Sequence, residues 1–270
     1  MTNPSPESYV HGHHASVLSS HTWRTAENSA AYLLPQLTAG VDVLDVGCGP
    51  GTITVDFAAR VAPGKVVGVD AASEIIEQAA AMASREGVSN VEFAVGDTYQ
   101  LDFENDSFDI VHTHQMLQHI AQPVAALREF RRVAKPDGVV AAREADYAGT
   151  VIYPLTPGLA LWADVYQQVH RSSGGEPDAG RRVKAWAREA GFSDVESTAS
   201  VWCFSSEADR AWWGGMWAKR VLESAFADRA LEAGIATQDQ LQEISDAWSD
   251  WAADDDGWMS MPHGEVLCRG

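Results

Sequence analysis

Val43-Leu44-Asp45-Val46-Gly47-Cys48-Gly49-Pro50-Gly51-Thr52-Ile53-Thr54 is the stretch on which the reading of the chain turns. It begins as an apolar run, the pattern of a buried strand. It breaks into three glycines at alternate positions and continues as an apolar helical pattern through Ile53, Val55, Phe57 and Ala58. A strand that ends in a glycine-rich turn and feeds a helix offers a ligand both backbone N–H groups and the positive end of the helix dipole. Glycine is needed where the backbone takes a positive φ or approaches that ligand closely. The dinucleotide fingerprint spaces its glycines G-x-G-x-x-G. Here they fall at 47, 49 and 51, and position 52 is Thr, which opposes a nicotinamide dinucleotide. The competing reading is a structural turn that holds nothing.

The segments that follow repeat the strand–helix alternation. Lys65 to Asp70 is a second apolar strand, ending in an acid 19 positions beyond Gly51. In nucleotide-binding α/β folds an acid about 20 residues on accepts ribose hydroxyls, and a carboxylate suits a vicinal diol because it has two acceptor oxygens. The alternative for Asp70 is a helix N-cap, a role that Ser73 fills better with Ile75, Ile76 and Ala79 behind it. A helix from Ser73 to Glu86 is stopped by Gly87. Val91 to Val95 is a third strand, followed by Gly96-Asp97-Thr98, which is a ligand-facing turn or a plain Gly-Asp turn. Ser107 to Thr113 is a fourth strand running into His114. A helix begins at Pro123 and ends at Ala134, Lys135-Pro136-Asp137-Gly138 makes a turn, and Val139 to Ala142 is a fifth strand. This alternation predicts a parallel sheet wound on both faces. Its ligand crevice lies at the carboxyl ends of the strands, where Gly47 to Gly51, Asp70, Asp97 and Thr113 to Gln115 all fall.

Residues from about 25 to 145 resemble the cofactor domain of the class I S-adenosylmethionine (SAM) methyltransferases, in particular the UbiE-like small-molecule group. The resemblance is carried by Asp45 to Gly51, Asp70, Gly96-Asp97, Phe108-Asp109, Leu117-Gln118-His119-Ile120 and Lys135 to Gly138. It departs at Gln118-His119, where many relatives carry two histidines. It implies a doubly wound, Rossmann-like α/β fold: seven strands, mostly parallel, with an antiparallel edge hairpin and helical cap insertions. It implies SAM as cofactor and S-adenosylhomocysteine as product. The implied cofactor contacts are Asp45, Gly47, Cys48, Gly49, Gly51, Asp70, Ala71, Gly96, Asp97, Thr98, Thr113, His114 and Gln115, with Tyr9 and Arg24 reaching in from the N-terminal segment. Asp70 would take the ribose diol and Asp97 the adenine amino group. The reaction implied is in-line methylation of oxygen, nitrogen or carbon on a small acceptor. The protein's main tasks are then positioning and a dry cavity. A base helps if the acceptor is a hydroxyl or carbon acid. The candidates are His114, His119 and His14, then Asp146 or Tyr147, histidine being suited by a pKa near neutrality. His114 stands first because it directly follows the fourth strand. Each histidine also has an ordinary packing or surface role open to it.

The rest of the chain is divided between sheet and additions. Thr25 to Leu37 reads as a helix, with residues 1–24 before it as a lid segment. The cofactor domain is expected over 25–204 and 257–270. Asp178 to Gly191 reads as a helix and Asp194 to Phe204 as an edge strand. Trp258 to Met261 and Glu265 to Cys268 read as a last strand interrupted by Pro262-His263-Gly264. The insertions 146–177 and 205–256 are rich in aromatics, among them Trp162, Trp212, Trp213, Trp217, Trp248 and Trp251. These rings either roof the site, as would suit a flat or cationic acceptor, or pack the inserted helices together.

The 270 residues carry a formal charge of −19, which opposes tight binding to nucleic acid and docking to an anionic membrane. Three cysteines without a Cys-x-x-Cys suggest neither a disulfide framework nor a zinc cluster. His11, His13 and His14 lack companion ligands at metal spacing, so no metal is expected. With no signal-like or membrane-spanning run, a cytoplasmic monomer or homodimer acting on a small molecule is expected. The rival readings are a non-catalytic SAM-binding or regulatory protein and, against the glycine spacing, an NAD-dependent oxidoreductase.

Overall fold

The computed structural model describes residues 23–270. Tyr9, His14 and most of the expected lid lie outside that range. The first strand, β1 (Val43–Val46), is buried at every position. Strands covered on both faces read as unbroken apolar runs for that reason. Each such Val or Leu contributes roughly 1.5–3 kcal/mol by leaving water. The strands β2 (Val66–Asp70), β3 (Val91–Val95), β4 (Phe108–His114) and β5 (Ala134–Ala145) lie parallel to it. The helices α2 (Thr52–Val61), α3 (Ser73–Glu86) and α4 (Pro123–Val133) connect them. The sheet order is β3-β2-β1-β4-β5, so the winding reverses between β1 and β4. That reversal opens the crevice expected from the strand order.

Two antiparallel pairings complete the sheet. The strand β8 (Trp258–Arg269) runs between β5 and β7 (Asp194–Phe204). The short β6 (Val151–Tyr153) pairs with the start of β8, so the sheet has eight strands rather than the expected seven. The added strand follows from β8 itself, which is continuous and not broken at Pro262. Pro262 lies between the stretch paired with β5 and the stretch paired with β6. Its carbonyl accepts from the Asp146 N–H at 3.0 Å, so its missing N–H faces a neighbour that donates and requires nothing back.

Other boundaries shift for local reasons. Thr25 to Leu37 is not one helix. It is a short α1 (Ala26–Ser29) followed by a 3₁₀ turn at Leu34–Gln36, because Pro35 cannot sit inside a helix that starts at Ala26. Lys135 to Gly138 runs within β5 rather than forming a separate turn. The N-cap of α3 is Ala72, not Ser73, and its N–H is held by Asp70. The α6 helix (Val183–Ala190) ends at Gly191 as expected, preceded by a 3₁₀ turn.

Both insertions leave the sheet at the carboxyl side, after β5 and after β7. The first supplies α5 (Pro157–Ser172). The second supplies α7 (Glu207–Glu223), α8 (Ala225–Glu232) and α9 (Gln238–Ala253). Trp162, Trp213, Trp217, Trp248 and Trp251 are buried among these helices, with Trp162 edge-on to both Trp217 and Trp248 at 4.9 Å. They are the core of the cap. Trp212 alone of the group is half-buried, and it lies against Trp23. No helix among the described residues is long and apolar enough to cross a membrane.

Candidate active site

The glycine turn has the backbone that its sequence demands. Gly47, Gly49 and Gly51 take φ of +73°, +54° and +86°, in the left-handed region that L-residues with side chains avoid. A Cβ on Gly47 would also stand 2.6 Å from Met116 Cγ. The turn is hung from β2: the N–H groups of Gly47 and Cys48 donate to the Val69 carbonyl, and the Gly49 N–H donates to Asp70 Oδ2 at 3.1 Å. Asp70 Oδ1 accepts from the Ala72 N–H at 3.1 Å. Each carboxylate oxygen keeps a further lone pair, so Asp70 both shapes the turn and retains acceptor capacity. Burial and the adjacent Asp45 and Asp70 push the Cys48 thiol well above its ordinary range, so it is not a nucleophile.

Asp45 lies beneath the turn. It is buried and accepts from the Thr54 hydroxyl at 2.6 Å on one oxygen and from His112 Nδ1 at 2.8 Å on the other. Thr113 donates to the last carbonyl of β1, closing β4 against it. Ala71 and Asp97 are exposed along the same edge. One Asp97 oxygen accepts from the Tyr99 N–H, and the Thr98 hydroxyl is buried with no partner. Gly96 is half-buried, its N–H on the Asp70 carbonyl.

A second group forms on one face of the sheet by register alone. His114, Arg143, Glu265 and Thr198 stand in one row across β4, β5, β8 and β7, and Ala145, His263 and Ser200 form a neighbouring row. Alternate residues of a strand share a face, so these side chains make a polar strip. The segment from Trp23 onward covers it: Trp202 Nε1 donates to the Asn28 carbonyl and its ring meets Trp23 at 5.2 Å. Arg24 donates to Gln115 Oε1 at 2.7 Å, and the Gln115 amide donates to His263 Nε2 at 2.7 Å. Gln115 itself sits at φ +50°, a strained backbone that its three partners, including the Arg143 carbonyl, hold in place.

Within the strip His114 is 5% exposed, and neither ring nitrogen has a partner. Burial, then Arg24 and Arg143, hold it well below the usual histidine range, so it is neutral at physiological pH. His263 is depressed for the same causes. Arg143 is brought down to about 10 by burial and stays charged at neutral pH.

The other face of β5 carries a different device. Glu144 is fully buried and accepts the N–H groups of Met116, Leu117 and Gln118, capping the 3₁₀ turn Leu117–His119. Burial nonetheless raises its pKa to about 7. His119 belongs to this side, between the Gln118 amide and His170. Burial lowers His170 to about 4. The structure therefore separates two histidines that the sequence grouped.

These shifts oppose one another in stability. Below about pH 6.5 the unfolded chain protonates His114, His170 and His263 while the folded chain does not, so acid destabilises the fold. Glu144 takes its proton near pH 7 when folded and near 4.5 when unfolded, so acid stabilises through it. We expect Glu144→Gln to lose about 2 kcal/mol more stability than the parent between pH 7.5 and 5.5, since this compensation is gone. Urea denaturation at both pH values measures it; equal losses in the two proteins would refute it.

Arg24 and Gln115, both expected as cofactor contacts, are joined here by a hydrogen bond, and Arg143, Trp202, His263, Glu265 and Glu144 were not among the residues expected from the sequence. The available signal was charged residues at alternate positions in otherwise apolar strands.

An open α/β sheet with a glycine turn at its winding reversal is the architecture of a nucleotide-cofactor enzyme. Residues 37–191 match the family model of the methyltransferase domain. Over its whole length the chain is 35% identical to an uncharacterized methyltransferase of Schizosaccharomyces pombe, covering 99% of that protein. It is 31% identical to the probable methyltransferase ltbC of Aspergillus luteorubrus, with 96% of each chain covered. Its fold matches phosphoethanolamine N-methyltransferase 2 of Haemonchus contortus, solved with phosphomonomethylethanolamine and S-adenosylhomocysteine, at a TM-score of 0.56 and 18% identity, covering 88% of this chain and 52% of that one. The chain belongs to the methyltransferase family.

Proposed function

We propose that this methyltransferase uses SAM to methylate a small-molecule acceptor held on the polar strip. The observation that carries the reading is the strip's closure. His114, Arg143 and His263 lie on neighbouring strands of the sheet that carries the glycine turn and are at most 5% exposed, which favours a small molecule over a polymer. The net charge of −19 supports the same choice.

The residues present fit the cofactor. Three left-handed glycines leave the turn without side chains, Asp70 keeps acceptor capacity for a diol, and the Thr98 hydroxyl is buried without a partner. Gly47, Gly49, Gly51, Asp70, Asp97 and Thr98 would hold SAM. When bound it supplies a methyl group already activated by its sulfonium. The chain's own part is to orient the acceptor, exclude water and receive a proton. His114 is the candidate base, because a neutral ring with an unpartnered nitrogen has a lone pair available. Asp45 and Thr113 act as positioning residues beneath the turn. Trp23 and Arg24, with Trp202, form the roof.

Calorimetry tests the cofactor reading: S-adenosylhomocysteine should bind, and NADH should not. Asp70→Ala should weaken S-adenosylhomocysteine by about 1.5–3 kcal/mol, since it deletes a charged hydrogen-bond acceptor. A loss well under tenfold in a folded variant would remove Asp70 from the site. Transfer of labelled methyl from SAM into the small-molecule rather than the macromolecular fraction of a cell extract tests the acceptor class.

A further inference from the structure

We propose that Arg143 binds a carboxylate of the methyl acceptor, so that the substrate class is a planar small-molecule carboxylic acid. The inference rests on the reading of the strip as the acceptor site. Arg143 is 1% exposed. Its Nε is shared between the Ser200 hydroxyl at 3.0 Å and Glu265 Oε1 at 3.2 Å. Glu265 is itself satisfied, accepting also from the hydroxyls of Ser200 and Thr198. Both terminal nitrogens of Arg143 are buried and have no partner.

A buried charge with unmet donors is expensive, and removing one partner of such a group typically costs several kcal/mol. A protein can carry this cost where a ligand supplies the missing acceptors. The two terminal nitrogens form a flat fork whose geometry matches two oxygens on one carbon.

The shape of the ligand is set by Trp202. Its ring lies 4.8 Å from Arg143 Cζ, 5.7 Å from Arg24 Cζ and 5.7 Å from the His114 ring. A flat wall beside the fork fits an aromatic or conjugated body. Anchoring the carboxylate at Arg143 would set the rest of the acceptor toward His114, the adjacent residue in the row. The negative charge would also raise the base strength of that ring.

The test uses the full chain saturated with S-adenosylhomocysteine and three matched probe pairs: benzoate and benzamide, phenylacetate and phenylacetamide, salicylate and salicylamide. Tryptophan fluorescence and calorimetry follow binding. At least one carboxylate should bind tenfold or more tightly than its amide. Arg143→Gln should abolish that preference, and Arg143→Lys, which keeps the charge but not the fork, should retain part of it. Both variants should bind S-adenosylhomocysteine as the parent does. Equal affinity within all three pairs, or a preference that survives Arg143→Gln, overturns the proposal. The parent-protein comparison decides the matter even if a variant does not fold. Failure of S-adenosylhomocysteine to bind the parent would instead remove the cofactor reading.

Discussion

Gly49→Val should abolish S-adenosylhomocysteine binding in a protein that keeps its fold. Gly49 takes φ +54°, where a β-branched side chain is a steric outlier. Its N–H is tied to Asp70, so the backbone cannot rotate out of strain without breaking the link between the turn and β2. The branched side chain would occupy the surface that the cofactor must approach. The expected loss is at least roughly 100-fold, or about 2.7 kcal/mol of binding. Strain alone does not explain such a loss, and a control shows it. Gly40 has φ +92° and open space around its missing Cβ. Gly40→Val should lower thermal stability similarly and leave binding intact. Calorimetry on both variants decides; retained affinity in a folded Gly49→Val protein would show that the turn does not hold the ligand.

The second large effect is expected at His114. Removing the base should cut turnover roughly 10²–10⁴-fold. His114→Leu keeps much of the volume and deletes two buried nitrogens that have no partner. Relief of such unmet groups is worth about 1–3 kcal/mol, so this variant should unfold at a higher temperature than the parent while it loses activity. A residue kept only for packing cannot show that pair of changes. His119→Leu breaks the contacts to Gln118 and His170 and should instead lower stability with less than a tenfold change in turnover. Labelled-methyl transfer and differential scanning calorimetry measure the two quantities. Undiminished transfer by His114→Leu would take the base role away from this residue.

The cofactor half was legible in the sequence because its signals are local. The turn at Gly47 to Gly51, the acid at the end of β2 and the Pro at the start of α4 each specify structure within a few residues. β1 to β5 were found for the same reason, as apolar runs punctuated by turn residues. The errors in that half were also local: Pro35 ended a helix early, and Lys135 to Gly138 stayed in the strand. The acceptor half was not legible. His114, Arg143, Glu265 and Ser200 are neighbours only because β8 enters antiparallel beside β5, a fact of register that no single segment encodes. The tryptophans of the insertions left a roof and a packed core both open, and their size and apolar area place all but Trp212 inside the cap. The ring that faces the polar strip, Trp202, lay in a strand where an aromatic is ordinary.

β8 is a central strand whose partners lie far away in the chain: Arg143 and Glu265 are 122 positions apart. In the parallel half of the sheet β1 pairs with β2, β2 with β3 and β4 with β5, all neighbours in the chain, and β1 pairs with β4 across 67 positions. Docking β8 closes a loop of more than a hundred residues, at an entropic cost of about 4 kcal/mol beyond the length-independent part. Pairings of such long range slow folding as a whole. The strand whose docking carries this entropic cost is also the one that brings Glu265 to the buried Arg143, so covering that charge and supplying its counter-ion are tied to a single pairing.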